Sequence, residues 1–327
     1  MIETKTLLVV GAGGSVPYGY PTGEKLRDSL CDVNNFEDVK EYMIRLRSKG
    51  GSDEIIEEFC QQFKASQRNS IDAFLAARGS HDISKSINGN VRKSGLTFEE
   101  CGKLAIASQL IKYEKFKKLL TPDDDHWLQY LWQHMSNDVL ITEFQNNQLK
   151  VVSFNYDRVI EQYFQTTIEN TYGVSSQEAS NLLEPIEIVH MYGNLQNLTE
   201  RPYEQIPRDL PNALPEIAKS IRIIPEARKE NDEQFTKAKE LIRWADKICF
   251  IGFGFDQTNV RRLGFPDHDL SEKTIYGTHY GLTAPEIRTA QKLLAGDGNE
   301  LRGFIDRDIP STELKTREYL RHAGVFS

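Results

Sequence analysis

Four consecutive apolar residues, Leu7, Leu8, Val9 and Val10, run straight into Gly11-Ala12-Gly13-Gly14-Ser15, and Glu24 to Leu30 then reads as a helix. A strand, a Gly-rich turn and a helix in that order open an α/β unit. The pattern returns late in the chain. Leu149 to Phe154, Ile186 to Met191, Lys247 to Gly252 and Thr274 to Thr278 read as short strands, with helical patterns near Asp232 to Trp244 and after Thr283 and Pro310. Strands separated by helices imply a parallel sheet. The predicted fold class is therefore α/β, a Rossmann-like doubly wound parallel sheet with a large helical insertion.

That insertion spans 32–147. Phe36, Val39, Met43 and Leu46, then Ile55, Ile56, Phe59 and Phe63, recur at helical spacing. Ser70 is placed to cap a short helix, Gly79 to Gly95 reads as a surface loop, and Phe98 to Leu120 and His126 to Phe144 read as two long helices. No strand is expected there. So long a run forms a subdomain rather than a connection. The expected division is a discontinuous Rossmann domain, 1–31 and 148–327, around a helical insertion, 32–147.

Charge narrows the function. The 327 residues carry 40 Lys plus Arg against 48 Asp plus Glu, a formal charge of −8. Affinity for phosphate backbones and anionic lipid is mostly electrostatic, so direct nucleic-acid or membrane binding is not expected. No apolar run approaches the ~20 residues of a membrane span and the N-terminus lacks a secretory pattern, so a cytoplasmic location is expected. Cys31, Cys60, Cys101 and Cys249 are too scattered for a CxxC pair, which argues against a zinc knuckle or a disulfide framework. Asp267-His268-Asp269 reads as a solvated loop, and no metal is expected.

The glycine turn sits where α/β sheets offer backbone N–H groups to a diphosphate, and glycine permits positive φ and close approach. A GxGxxG fingerprint would need glycine where Val16 stands, and Asp32 has no second strand before it, which argues against a dehydrogenase. A turn made glycine-rich only for tight packing remains the alternative.

Other segments join the turn: Pro21-Thr22-Gly23, Ser153-Phe-Asn-Tyr-Asp157, His190-Met-Tyr-Gly-Asn-Leu195, Ile251-Gly-Phe-Gly-Phe-Asp256 and Thr278-His-Tyr-Gly-Leu282. Together they resemble the sirtuin-like superfamily and, more narrowly, the zinc-free sirtuin-like domains of bacterial antiphage NADases. Ser70-Ile-Asp-Ala-Phe-Leu75 in the insertion is similar too. The resemblance implies that NAD is the substrate, cleaved at the nicotinamide–ribose bond to nicotinamide and ADP-ribose without a metal. It implies that Gly11, Ala12, Gly13, Gly14 and Ser15, with Pro21 and Thr22, hold the diphosphate side. Asn155 would position the nicotinamide ribose and the attacking water, and Asp157 would lie near the nicotinamide amide. Gly252, Gly254, Asp256 and Asn259, with Thr278, would face the adenosine half. The alternative for Asn155 and Asp157 is capping of the helix that follows.

One departure stands out. Sirtuins carry His-Gly after a strand, the His acting as base toward the ribose, whereas here Tyr192 precedes Gly193 and His190 lies two positions upstream. Strand alternation predicts His190 and Tyr192 on one side, about 7 Å apart. Imidazole, with an ordinary pKa of about 6.5, suits proton transfer at neutral pH, so His190 is assigned the base role and Tyr192 a hydrogen-bonding or stacking contact. A packed strand histidine, a non-catalytic NAD or ADP-ribose binding module, and a protein deacylase stay open. Pro21-Thr22-Gly23 replaces the Pro-Asp-Phe-Arg of deacylating sirtuins, which counts against the last. The biological role implied is NAD depletion in an infected bacterium, held inactive until triggered, with a homo-oligomer, a separate defence-system partner protein or both expected.

Overall fold

The computed structural model describes residues 1–46, 52–87, 90–122, 125–223, 232–265, 267–296, 301–304 and 312–326. Strand β1 (Thr6–Val10) is followed by a hairpin, β2 (Asp82–Ile87) and β3 (Asn90–Thr97), and by β4 (Leu149–Ser153), β5 (Ile188–His190), β6 (Lys247–Ile251) and β7 (Thr274–Gly277). Five of them form one sheet in the order β5-β4-β1-β6-β7. Every pairing in it is parallel, with Leu8 opposite both Val151 and Cys249. All five residues of β1 are buried, which is why its run is apolar without alternation.

The order fixes where a ligand crevice opens. From β1 the chain builds β4 and β5 on one flank, then crosses to place β6 and β7 on the other. Neighbouring β1 and β6 thus send their connections in opposite directions, leaving a crevice at their carboxyl ends.

Among the described residues seven α-helices lie between β1 and β4: α1 (Gly23–Ser29), α2 (Glu37–Arg45), α3 (Ser52–Ala65), α4 (Ile71–Arg78), α5 (Phe98–Leu110), α6 (Phe116–Leu120) and α7 (Trp127–Ser136). After β4 come α8 (Val159–Tyr172), α9 (Ser176–Leu183), α10 (Leu210–Lys219), α11 (Glu233–Trp244), α12 (Gln257–Arg262), α13 (Ala284–Ala295) and α14 (Thr316–His322). The α/β sheet with a helical subdomain is as the sequence predicts. The subdomain has an aromatic core in which Phe63 stacks on Phe74 at 4.8 Å and Phe59 on Phe98 at 5.8 Å. Helix α10, from the later part of the chain, packs on α2 and α5. Among the described residues no helix is long and apolar enough to cross a membrane.

Three local expectations are corrected. The loop expected over Gly79 to Gly95 contains the antiparallel β2–β3 pair, with Ile83 buried on the helices. The helix expected over Phe98 to Leu120 breaks at Glu114 and Lys115, which are extended, because the Glu114 carboxylate turns inward to two arginines. The helix expected over His126 to Phe144 stops at Ser136, where Asn137 is extended and Asp138 takes positive φ. The helix expected after Pro310 runs Thr316–His322, and Pro310 itself lies outside the described residues.

Candidate functional site

The turns that leave β1 and β6 meet face to face. Gly13 N donates to Gly252 O at 3.0 Å, and Gly11 N to Ile251 O at 2.9 Å. A Cβ on Gly11 would lie 2.7 Å from Gly252 O, and one on Gly13 would lie 2.8 Å from Gly252 Cα. Close backbone packing thus accounts for these glycines, and the N–H groups of Gly11, Gly13 and Gly14 are already bonded to protein carbonyls. The N–H groups of Ala12, Gly254 and Phe255 donate to no group among the described residues. Phe255 also holds φ at +49°, a conformation unusual for an aromatic residue and found where a site imposes it.

Above these turns lies a cleft of about 1230 Å³. Its floor is Ala12, Gly13, Gly252, Gly254 and Thr278, and the Thr278 hydroxyl accepts from Gly252 N at 2.8 Å. One wall is Val16, Pro17 and Thr22, the last capping α1 through Lys25 N. The facing wall is α4 of the insertion, presenting Ser70, Asp72, Ala73 and Ala76. Tyr192, Asp256 and Asn259 complete it from the far strand ends. The insertion therefore roofs the crevice.

Of the residues singled out from the sequence, Ala12, Gly13, Thr22, Tyr192, Gly252, Gly254, Asp256, Asn259 and Thr278 line this cleft, whereas Gly11, Gly14, Ser15, Pro21, Gly193, Asn155, Asp157 and His190 do not. Gly193 has a packing role: its φ is +70°, and a Cβ there would strike Ser220 O at 1.9 Å.

Asn155 and Asp157 sit one layer behind the glycine turn. Asn155 Nδ2 donates to Gly11 O at 3.0 Å and to Ser15 Oγ at 2.9 Å, and the residue keeps 7% of its surface exposed. Its Oδ1 takes no hydrogen bond among the described residues, so an acceptor remains. Asp157 Oδ1 accepts from Val159 N at 3.1 Å, so the capping role is real. Burial pushes the Asp157 carboxyl up to about 6, while the Ser15 hydroxyl and the Val159 N–H pull it back. The buried hydroxyls of Tyr20 and Tyr203 lie near Asp157 and near each other without reaching hydrogen-bond geometry.

A carboxyl held above its ordinary range favours the folded state only while protonated; that contribution is lost as pH rises through the folded pKa. Asp157→Asn, which keeps an acceptor and carries no charge, is therefore expected to stabilise the protein by about 2 kcal/mol at pH 7. The gain fades as pH falls from about 6 to about 4. Urea denaturation at pH 4 and pH 7 checks this; equal gains at both would place the effect elsewhere.

The base role expected of His190 does not fit the geometry. Its Nδ1 meets Asn155 O at 2.9 Å and its Nε2 meets Glu161 Oε1 at 2.5 Å, both acceptors. Burial alone would lower the imidazole pKa, but the charge and hydrogen bond of Glu161 outweigh it, so His190 is raised and Glu161 lowered. An imidazolium with both N–H groups committed has no lone pair to offer. The expected shared face also fails, because β5 ends at His190 and residues 191 and 192 form a turn. Tyr192 instead packs on Phe154 and Phe235; its hydroxyl donates to Asn259 Oδ1 at 2.5 Å and accepts from Arg262 Nη1 at 2.9 Å. Burial raises its pKa, with Arg262 opposing, so it stays a neutral phenol.

Sequence reasoning passed over several site residues. Asp72 was absorbed into a helix-start motif, although its carboxylate reaches the cleft and accepts from Tyr156 Oη at 2.6 Å. Glu161 lies on the helix after the Asn155 segment and carries no motif. Glu114, fully buried, joins Arg158 and Arg201 by bonds of 2.6 to 2.9 Å and ties the insertion to α8 behind the site. Among the described residues no group of three or more His, Cys, Asp or Glu is placed to hold a metal ion.

No protein-family model matches the chain, and no curated protein matches it.

Proposed function

We propose that the cleft binds NAD and that the protein hydrolyses it at the nicotinamide–ribose bond, giving nicotinamide and ADP-ribose. The observation that carries this reading is a cleft of dinucleotide size at the β1–β6 switch point, with the Asn155 amide hydrogen-bonded to the turn that floors it. The N–H groups of Ala12 and Gly254, which line the cleft, would supply donors for a diphosphate. When the C–N bond breaks, its electron pair leaves with nicotinamide and positive charge develops on the ribose. The chemistry then needs anchored phosphates and one placed water rather than a strong nucleophile. Asn155 suits the water because an amide stays neutral at every pH and its Oδ1 accepts. By the resemblance, Asp157, behind the same turn, would lie near the nicotinamide amide.

By the resemblance, the biological role is NAD depletion in an infected bacterium, held off until triggered by self-assembly or a partner protein. A second reading, NAD or ADP-ribose binding without cleavage, is favoured by one observation: His190 is tied up in its ion pair and the Tyr192 hydroxyl in its own bonds.

Two variants separate the contributions. His190→Ala strands the Glu161 carboxylate, so it is expected to cost about 3 kcal/mol of stability, while turnover of the folded fraction stays within about threefold, an imidazolium not being the base. Tyr192→Phe unties Asn259 and Arg262 at the cleft wall and is expected to weaken NAD about tenfold. Thermal melts, nicotinamide release and NAD titrations read them. A stable His190→Ala protein with no turnover would restore the imidazole to the chemistry.

A further inference from the structure

The proposed hydrolysis requires a proton acceptor, and neither His190 nor Tyr192 offers one. Among the described residues three carboxylates line the cleft: Asp72, Asp125 and Asp256. Asp125 accepts from Thr316 N and Arg317 N with its two oxygens, and Asp256 Oδ1 caps α12 through Asn259 N. Asp72 and Asp256 each leave Oδ2 without a hydrogen bond from another described residue, but only Asp72 is tied to the segment that carries Asn155: its Oδ1 accepts from Tyr156 Oη at 2.6 Å. Tyr156 stands between Asn155 and Asp157, so one hydroxyl fixes this acid of the insertion to the strand end that carries the amide.

We propose that Asp72 is the general base of the site, taking a proton from the water that attacks the ribose. This rests on the hydrolase reading above. The C1′–N bond breaks and its electron pair leaves with neutral nicotinamide. The water oxygen bonds to C1′, and its proton passes to Asp72 Oδ2 and then to solvent. NAD⁺ and water become nicotinamide, ADP-ribose and a proton. The groups facing Asp72 are Tyr156 after β4, Asp256 after β6 and Tyr192 after β5, with Arg68 and Lys315 elsewhere on the lining. Burial raises the Asp72 carboxyl above its ordinary range, and the Tyr156 hydrogen bond opposes that rise. Because the base comes from α4, the site is complete only with the insertion seated over the sheet.

The test uses the full chain, with the proteins encoded beside it present, and measures nicotinamide release and NAD affinity across pH. Asp72→Asn keeps an acceptor for Tyr156. It is expected to lower kcat by about 100-fold or more, hold the NAD Kd within about threefold, and abolish the acid limb of the pH profile. Tyr156→Phe keeps the carboxylate but loses its hydrogen bond, so the acid limb should persist at higher pH with kcat about tenfold lower. Wild-type kcat in Asp72→Asn would overturn the base role and leave the hydrolase reading standing. Affinity falling in step with the rate would make Asp72 a binding residue and overturn the base role. A wild-type protein that binds NAD and forms no products would overturn the hydrolase reading and the base role together.

Discussion

Gly252→Ala is expected to cost more than about 3 kcal/mol of stability and to abolish NAD binding. Gly252 holds φ at +55°, and a Cβ there would lie 2.0 Å from Gly14 N and 2.3 Å from Gly13 C. Left-handed backbone alone costs an alanine about 1 kcal/mol. The clash adds to it, because the colliding atoms are backbone and cannot rotate away. The two turns must part, breaking the Gly13 to Gly252 hydrogen bond and deforming the cleft floor. Gly254→Ala, two residues on, is the control. A Cβ there meets nothing within 4 Å, so a change within about 0.5 kcal/mol is expected. Denaturant midpoints decide, and equal stabilities for the two variants would contradict the turn-on-turn contact.

Asn155→Ala is expected to lower NAD turnover by about 100-fold or more. The amide orders the floor through Gly11 O and Ser15 Oγ and keeps an acceptor for the water. Stranding those two partners should cost about 1–3 kcal/mol, which the remaining core absorbs, so the variant folds. Circular dichroism and a melt establish the fold before rates are compared. A folded Asn155→Ala protein with undiminished turnover would remove the amide from the chemistry.

The first strand of the sheet was legible because Leu7 to Val10 is a continuous apolar run buried on both faces, with no solvent-facing position to interrupt it. The glycine turn was legible for the same local reason, though its purpose was half hidden. Gly11 and Gly13 answer to Gly252, more than two hundred residues away, and no spacing rule pairs them. The β2–β3 hairpin was lost because the helices α4 and α5 flank a largely polar segment in which Ile83, Ile87, Val91 and Leu96 are too widely spaced to mark strands.

At the site, alternation was carried past the end of the strand. β5 spans only Ile188–His190, so the face of Tyr192 is set by the turn after it and by the Gly193 contact with Ser220. Glu161 could not be seen as the partner of His190, since it lies on α8 and only the folded sheet brings them together. Asp72 carried a signal that the helix-start reading consumed. Ser70 does cap α4, through Ala73 N, while Asp72 in the same turn faces the cleft.

On the proposed function, this crevice cleaves a dinucleotide. The direct measurement incubates the purified chain with NAD, alone and with the proteins encoded beside it, and quantifies nicotinamide and ADP-ribose over time. Equal amounts of the two products from the wild type, with next to none from Asn155→Ala, is the expected result; NAD held in the cleft with neither product formed under any of these conditions would contradict it.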